Sequence, residues 1–237
     1  MAARASLVVV LALVVLAGPA HAQADRYGDV DPGWPDGVAL GVMIPLDLWL
    51  YLDEPSATQR DPWAPSFDRA TRDALALDVR GQRRAASASD AFLYSLSALG
   101  VVAPYVAHLD FGADEHRGVL VGAEAMLGTL LVTNVTKHLV RRQRPDAGEH
   151  PDHEAHASFF SGHTSMSFAG ATMLTIHAYE YRWLDGDTRW VVPAVAYTAA
   201  ASTGWLRMAA RRHWLTDVLV GAAMGTGTSY AIYRLRD

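Results

Sequence analysis

The stretch GVLVGAEAMLGTLLVTNVTKHLVRRQRP, residues Gly118–Pro145, decides the fold. From Gly118 to Leu139 it is almost wholly apolar or small. It is too long for a strand and lacks a strand's two-residue alternation, so it predicts a helix. The helix runs out at Lys137 into an arginine-rich segment closed by Pro145. Four further segments have the same character: Ser89–Ala107, Thr164–Tyr181, Arg189–Met208 and Leu215–Leu235. Ser87 or Ser89 is the expected cap of the first, with Asp90 in its opening turn. Gly37–Leu52 adds a sixth, with Pro45 and Asp47 interrupting it. No segment alternates and no repeat recurs. The expectation is an all-α protein, a bundle of about six helices.

Polar residues collect at the ends of these helices. Lys137 stands seven residues before Arg144, which Pro145 follows; Ser161-Gly162-His163 precedes the third core helix; Arg207, His213 and Asp217 run from the end of the fourth into the fifth. Neighbouring helices of an antiparallel bundle alternate in direction, so all three clusters are expected on one side. Of the 20 basic side chains all but Lys137 are arginine, which marks that position as one where a compact ammonium is wanted.

The residue types suit a tetrahedral anion. Lys137, Arg144 and Arg207 offer cations to its oxygens, and the arginines can do so with paired hydrogen bonds. Ser161 and Gly162 stand where free backbone N–H groups and the helix dipole favour negative charge. His213 and Asp217 are four apart, so on a helix the carboxylate would hold one ring nitrogen and leave the other nucleophilic. His163 would protonate the leaving oxygen and then activate water. Such a site makes a phosphohistidine and requires no metal.

Together the clusters resemble the three-part signature K-x6-R-P, P-S-G-H and S-R-x5-H-x3-D. That signature belongs to the type 2 phosphatidic acid phosphatase and vanadium haloperoxidase superfamily. The resemblance covers roughly Leu93–Arg236. It implies that Lys137, Arg144, Ser161, Gly162, His163 and Arg207 bind phosphate or vanadate. It implies too that His213 is the nucleophile, Asp217 its partner and His163 the acid and base. Phe160 replaces the signature's proline and Leu206 its serine. The implied activity is hydrolysis of phosphomonoesters or diphosphates, either lipid-linked or small and soluble, without a cofactor. Vanadate would inhibit; it would be a cofactor only in the alternative reading, a haloperoxidase. A non-catalytic membrane or anion-binding protein of the same fold is the third reading.

The rest of the chain sets the context. Arg4, the apolar run Leu7–Leu16 and Ala20-His21-Ala22 read as a secretory signal cut before Gln23. The expected organisation is a signal peptide at 1–22, then an arm, apolar segment and amphipathic helix at 23–86, then the catalytic helical domain at 87–237. Phe67–Arg84 reads as a solvated surface helix. There are no cysteines, hence no disulfides or thiolate metal sites. A net charge of −5 argues against a nucleic-acid partner. The helices have spanning length but mean hydropathy is only +0.07, and Glu124 and His177 lie inside two of them. Membrane-embedded and soluble bundles both fit. The loops His108–Arg117 and Arg182–Thr188, which would be cytoplasmic if the site faced the periplasm, lack a positive excess, so the positive-inside signal is missing. The signal segment sets the expected location, exported: periplasmic, or inner-membrane-associated with a periplasmic site. His150, His153 and His156 read as a loop over the site mouth, with a metal site as the alternative.

Overall fold

The computed structural model describes residues 34–53, 63–108, 113–147 and 154–236. The signal-peptide reading of 1–22 lies outside them. Among the described residues seven α-helices follow in order: α1 Trp34–Leu52, α2 Ser66–Ala74, α3 Val79–His108, α4 Ala113–Val140, α5 Gly162–Glu180, α6 Val191–Ala209 and α7 Leu215–Arg236. A single 3-10 turn, Gly186–Trp190, leads into α6, and no strand occurs among the described residues. The all-α expectation holds.

The helices depart from the sequence reading in two places, at the start of α3 and in the middle of α1. α3 starts at Val79, not Ser89, because Asp78 accepts a hydrogen bond from the Gly81 N–H at 2.7 Å and so caps it there. Ser89 is therefore an interior residue, its hydroxyl bonded back to Ala86 O at 2.6 Å. The stretch Phe67–Arg84 is correspondingly split between α2 and the first turns of α3, and the boundary drawn at 86/87 falls inside α3. α1 runs unbroken through Pro45. Proline removes one backbone bond, on an exposed face. Packing opposes that loss: Met43, Leu50 and Leu131 form a buried cluster joined by Leu46, Leu127 and Val135. Asp47, which was expected to break the helix, is buried and accepts from Asn134 Nδ2 at 3.1 Å.

α5 is the central helix, packed by α3, α4, α6 and α7, while α1 lies against α4. Gly221 and Gly225 bring α7 close to the start of α5. A Cβ at Gly225 would lie 2.0 Å from Ser165 O, and one at Gly221 would lie 2.9 Å from Ser161 O. Only glycine permits that approach, and it sets Asp217, one turn before Gly221, beside the N-terminus of α5.

Candidate active site

Four helix ends meet at one end of the bundle, and each is shaped locally. Arg141 has φ +52° and stops α4. α6 closes in a Schellman turn, with Arg211 at φ +57°: Arg211 N–H donates to Met208 O at 2.9 Å and Arg212 N–H to Arg207 O at 3.0 Å. Left-handed backbone costs an arginine about 1–2 kcal/mol, and both turns deliver side chains to the same place. At α5, Ser161 Oγ accepts from Thr164 N at 3.3 Å and from Thr164 Oγ1 at 2.9 Å. At α7, Asp217 reaches back to accept from the Trp214 N–H at 2.9 Å, one half of a capping box. The Ser161 N–H donates to Asp217 O at 3.1 Å and joins the two starts.

The cations converge there. A Cβ built on Gly162 would sit 3.4 Å from Lys137 Nζ, so the ammonium lies against the first turn of α5. Arg144 is buried and pairs with Glu154 through Nη2 at 2.8 Å, yet its Nε and Nη1 have no hydrogen-bond partner among the described residues. The Nε of buried Arg207 has none either, while its Nη1 lies 3.7 Å from Asp90 Oδ1. Burial, then Arg144, Arg207, Lys137 and His163, hold the His213 pKa well below the usual histidine value, so the ring is neutral. Lys137, Arg144, Gly162, His163, Arg207 and His213 are thus brought together. Ser161 is fully buried and its Oγ accepts both cap bonds, so its O–H and its place at a helix N-terminus are what it can offer an anion.

The expected His213–Asp217 bond is corrected. His213 Nδ1–H donates to the Ser158 carbonyl at 2.9 Å, and Asp217 Oδ2 stands 3.6 Å away. His213 precedes α7, in a turn, so the geometry that makes residues four apart neighbours on a helix does not apply to it. A carbonyl only accepts, so Nδ1 carries the proton and Nε2 keeps its lone pair. Asp217 binds the surroundings instead, accepting from Ser158 Oγ at 2.6 Å, from Trp214 N and from Arg142 Nη1. Burial pushes its carboxyl up to about 6, against the pull of Arg142, Ser158 and the Trp214 N–H.

Several site residues carried no signal in the sequence. His163 Nε2–H donates to Asp90 Oδ1 at 2.8 Å, and Asp90 lies well inside α3. Burial first, then Arg207, Lys137, Arg144 and Arg212, take the His163 pKa down to about 2. Burial opposes the ionised form of Glu154, but Arg144, Lys137 and Arg207 outweigh it and hold the carboxyl below its usual range. Arg142 and Asp68 are fully buried behind Asp217, 2.7 Å apart. The only available hint was a run of arginines, which on most helix ends is solvated. Of the two departures from the signature, Phe160 is buried in the wall and Leu206 packs on the Ala85, Ala209 and Ala210 cluster.

His150 and His153 lie outside the described residues. Among the described residues no three His, Cys, Asp or Glu side chains gather as metal ligands. An apolar cleft of about 410 Å³ opens between α3, α5 and α6, lined by Phe92, Leu96, Leu99, Leu174, Trp183 and Val195. It holds none of the charged residues above.

Residues 118–237 match the family described as the PAP2 superfamily. The chain is 34% identical over 116 residues to a protein named lipid A 1-phosphatase from Porphyromonas gingivalis, a match covering 48% of this chain and 23% of that one. It is 38% identical over 81 residues to "Probable diacylglycerol pyrophosphate phosphatase 1" of Schizosaccharomyces pombe, covering 32% of this chain and 29% of the relative. The matched part is therefore under a third of either relative's length. No solved structure matches at a significant level. With its family match spanning half the sequence and all three signature clusters gathered at one end of the bundle, this chain belongs to the PAP2 superfamily.

Proposed function

We propose that this protein is a metal-independent phosphatase of lipid-linked phosphates that works through a phosphohistidine at His213. The observation that carries the reading is the set of buried guanidinium nitrogens with no partner among the described residues, Arg144 Nε and Nη1 and Arg207 Nε, grouped around a neutral His213. Buried donors without partners cost about 1–3 kcal/mol each, and a phosphoryl group with three charged oxygens supplies acceptors for them. Lys137 and the first turn of α5 complete the cradle.

His213 Nε2 attacks phosphorus, the P–O bond to the leaving group breaks, and the departing oxygen takes a proton from His163 Nδ1–H. The neutral His163 then removes a proton from water, whose oxygen displaces the phosphoryl group from His213. Inorganic phosphate leaves and both rings return to their starting state. The Ser158 carbonyl holds the His213 tautomer throughout. The phosphate dianion and Asp90 offset the cations that otherwise strip His163 of its proton.

The lipid part of the reading rests on the relatives' names and on surface chemistry. Two helical segments, Val79–Val106 and Glu115–Val140, are long and apolar enough to cross a membrane. Trp49, Tyr51, Leu52, Trp63, Phe67 and Trp205 are exposed and belong to the end of α1, the start of α2 and the approach to it, and the last turns of α6. Aromatic side chains there suit a membrane–water interface and would hold the site at the height of a lipid phosphate.

The test is His213→Ala, assayed for phosphate release from a phospholipid phosphate and from an aryl phosphate, in membrane and soluble fractions. Release is expected to fall by about 10⁴-fold or more with the helical circular dichroism unchanged. Undiminished turnover would remove the mechanism. Chelator in the wild-type assay is expected to change nothing.

A further inference from the structure

The family match begins at residue 118, yet a side chain from α2, fifty residues earlier in the chain, lies at the back of the site. Asp68 has no exposed surface. Its Oδ1 accepts from the Thr216 N–H at 2.9 Å, and its Oδ2 from Thr216 Oγ1 at 2.7 Å and Arg142 Nη2 at 2.7 Å. Arg142 uses its other nitrogens on Thr216 Oγ1 at 2.7 Å, on Asp217 Oδ1 and, through Nε, on Trp63 O at 2.9 Å. Its guanidinium lies between the rings of Trp63 and Trp214, at 5.0 and 5.6 Å. Asp217 and Arg142 then both reach Ser158, the first through its hydroxyl and the second through a backbone bond from Ser158 N–H to Arg142 O at 2.9 Å. Ser158 O is the group that fixes His213.

We infer that Asp68 is a positioning residue for phosphoryl transfer, acting through Arg142, Asp217 and Ser158 on the orientation and charge of His213. The inference rests on the phosphatase reading above. Two buried carboxylates share one guanidinium, so the triad behind His213 carries a net negative charge. Attack on phosphorus turns the imidazole into a cation, and a buried negative charge behind it favours that change. Without the Asp68 charge, Arg142 neutralises Asp217 outright and the triad has none to offer. Asp68 touches no part of the phosphate cradle, so its loss acts on the rate of transfer and not on binding.

The experiment compares wild type, Asp68→Asn and Thr216→Val on p-nitrophenyl phosphate. Active sites are counted by the phosphoenzyme burst and folding is followed by thermal melting. Asparagine keeps the shape and removes the charge. The expected result is a kcat per titrated site lower by about tenfold to a hundredfold, as for outer partners of other reactive imidazoles, with KM changed less than about twofold. Thr216→Val, which removes only the hydroxyl between Asp68 and Arg142, is expected to lower kcat by about threefold, again at constant KM. An unchanged kcat per titrated site in folded Asp68→Asn overturns the proposal. So does a loss that follows only the folded fraction. If Asp68→Asn does not fold, an unchanged kcat in Thr216→Val overturns it equally. A wild-type enzyme that releases phosphate without a phosphoenzyme would instead overturn the phosphohistidine mechanism, and one that releases no phosphate would overturn the phosphatase reading itself.

Discussion

The two ends of the bundle use the same backbone device to different purpose. α5 and α6 both finish in Schellman turns with a left-handed arginine, Arg182 at φ +50° and Arg211 at φ +57°. Arg182 points into solvent, where it meets Asp185 at 3.5 Å with both side chains more than 70% exposed. Arg211 leads straight into His213 and Asp217, among side chains that are almost wholly buried. In the far half of the molecule Arg236 pairs with Glu124 at 2.7 Å, one cation to one carboxylate. The near end instead crowds Lys137, Arg144 and Arg207 together, with guanidinium nitrogens left over. A stable fold alone does not favour such crowding, since buried like charges repel. The contrast is what singles out the near end as the proposed phosphate site.

Changes at the two ends should therefore differ in what they affect. The largest effect in this comparison is expected from Arg144→Lys, which keeps the charge and removes the fork. Steady-state kinetics should show kcat/KM down by about 10²–10³-fold, and a loss below about threefold would mean that the unpartnered nitrogens do not hold the phosphoryl oxygens. Next is Asp90→Asn. It should slow hydrolysis of alkyl or lipid phosphates by about tenfold or more and leave p-nitrophenyl phosphate, whose leaving group needs little proton help, nearly untouched. Equal losses on both substrates would show that Asp90 does not act through the proton on His163. The smallest is Arg182→Gly at the far end. It relieves about 1 kcal/mol of left-handed strain and adds about 0.5 kcal/mol of unfolded-chain entropy. The melting temperature should rise by about 1–2 °C with no change in activity; a fall would mean that the Arg182 side chain matters more than its backbone.

Most of the cradle was legible without coordinates, because its members sit in short spacings at helix ends. Lys137 and Arg144 are separated by one loop, Ser161 to His163 by none, and the direction of successive helices puts these ends together. Contacts made across the bundle were not legible. Asp90 looks like an opening-turn acid and Asp68 like one of several acids on a charged helix; neither differs locally from Asp73, which is exposed. The His213–Asp217 spacing suggested a bond that requires helical geometry, and the chain is not helical at His213.

By itself, then, the sequence determined an all-α chain, without thiols, whose basic and imidazole side chains lie at matching helix ends. Those properties follow from periodicity, composition and chain direction, which are local. Only the tertiary structure decided that Ser158 O, not Asp217, fixes His213, and that Asp68, Asp90 and Glu154 complete the surroundings. The reason is physical: whether a carboxylate is a solvated surface charge or a buried partner depends on what the rest of the fold places against it, and no neighbour in sequence records that.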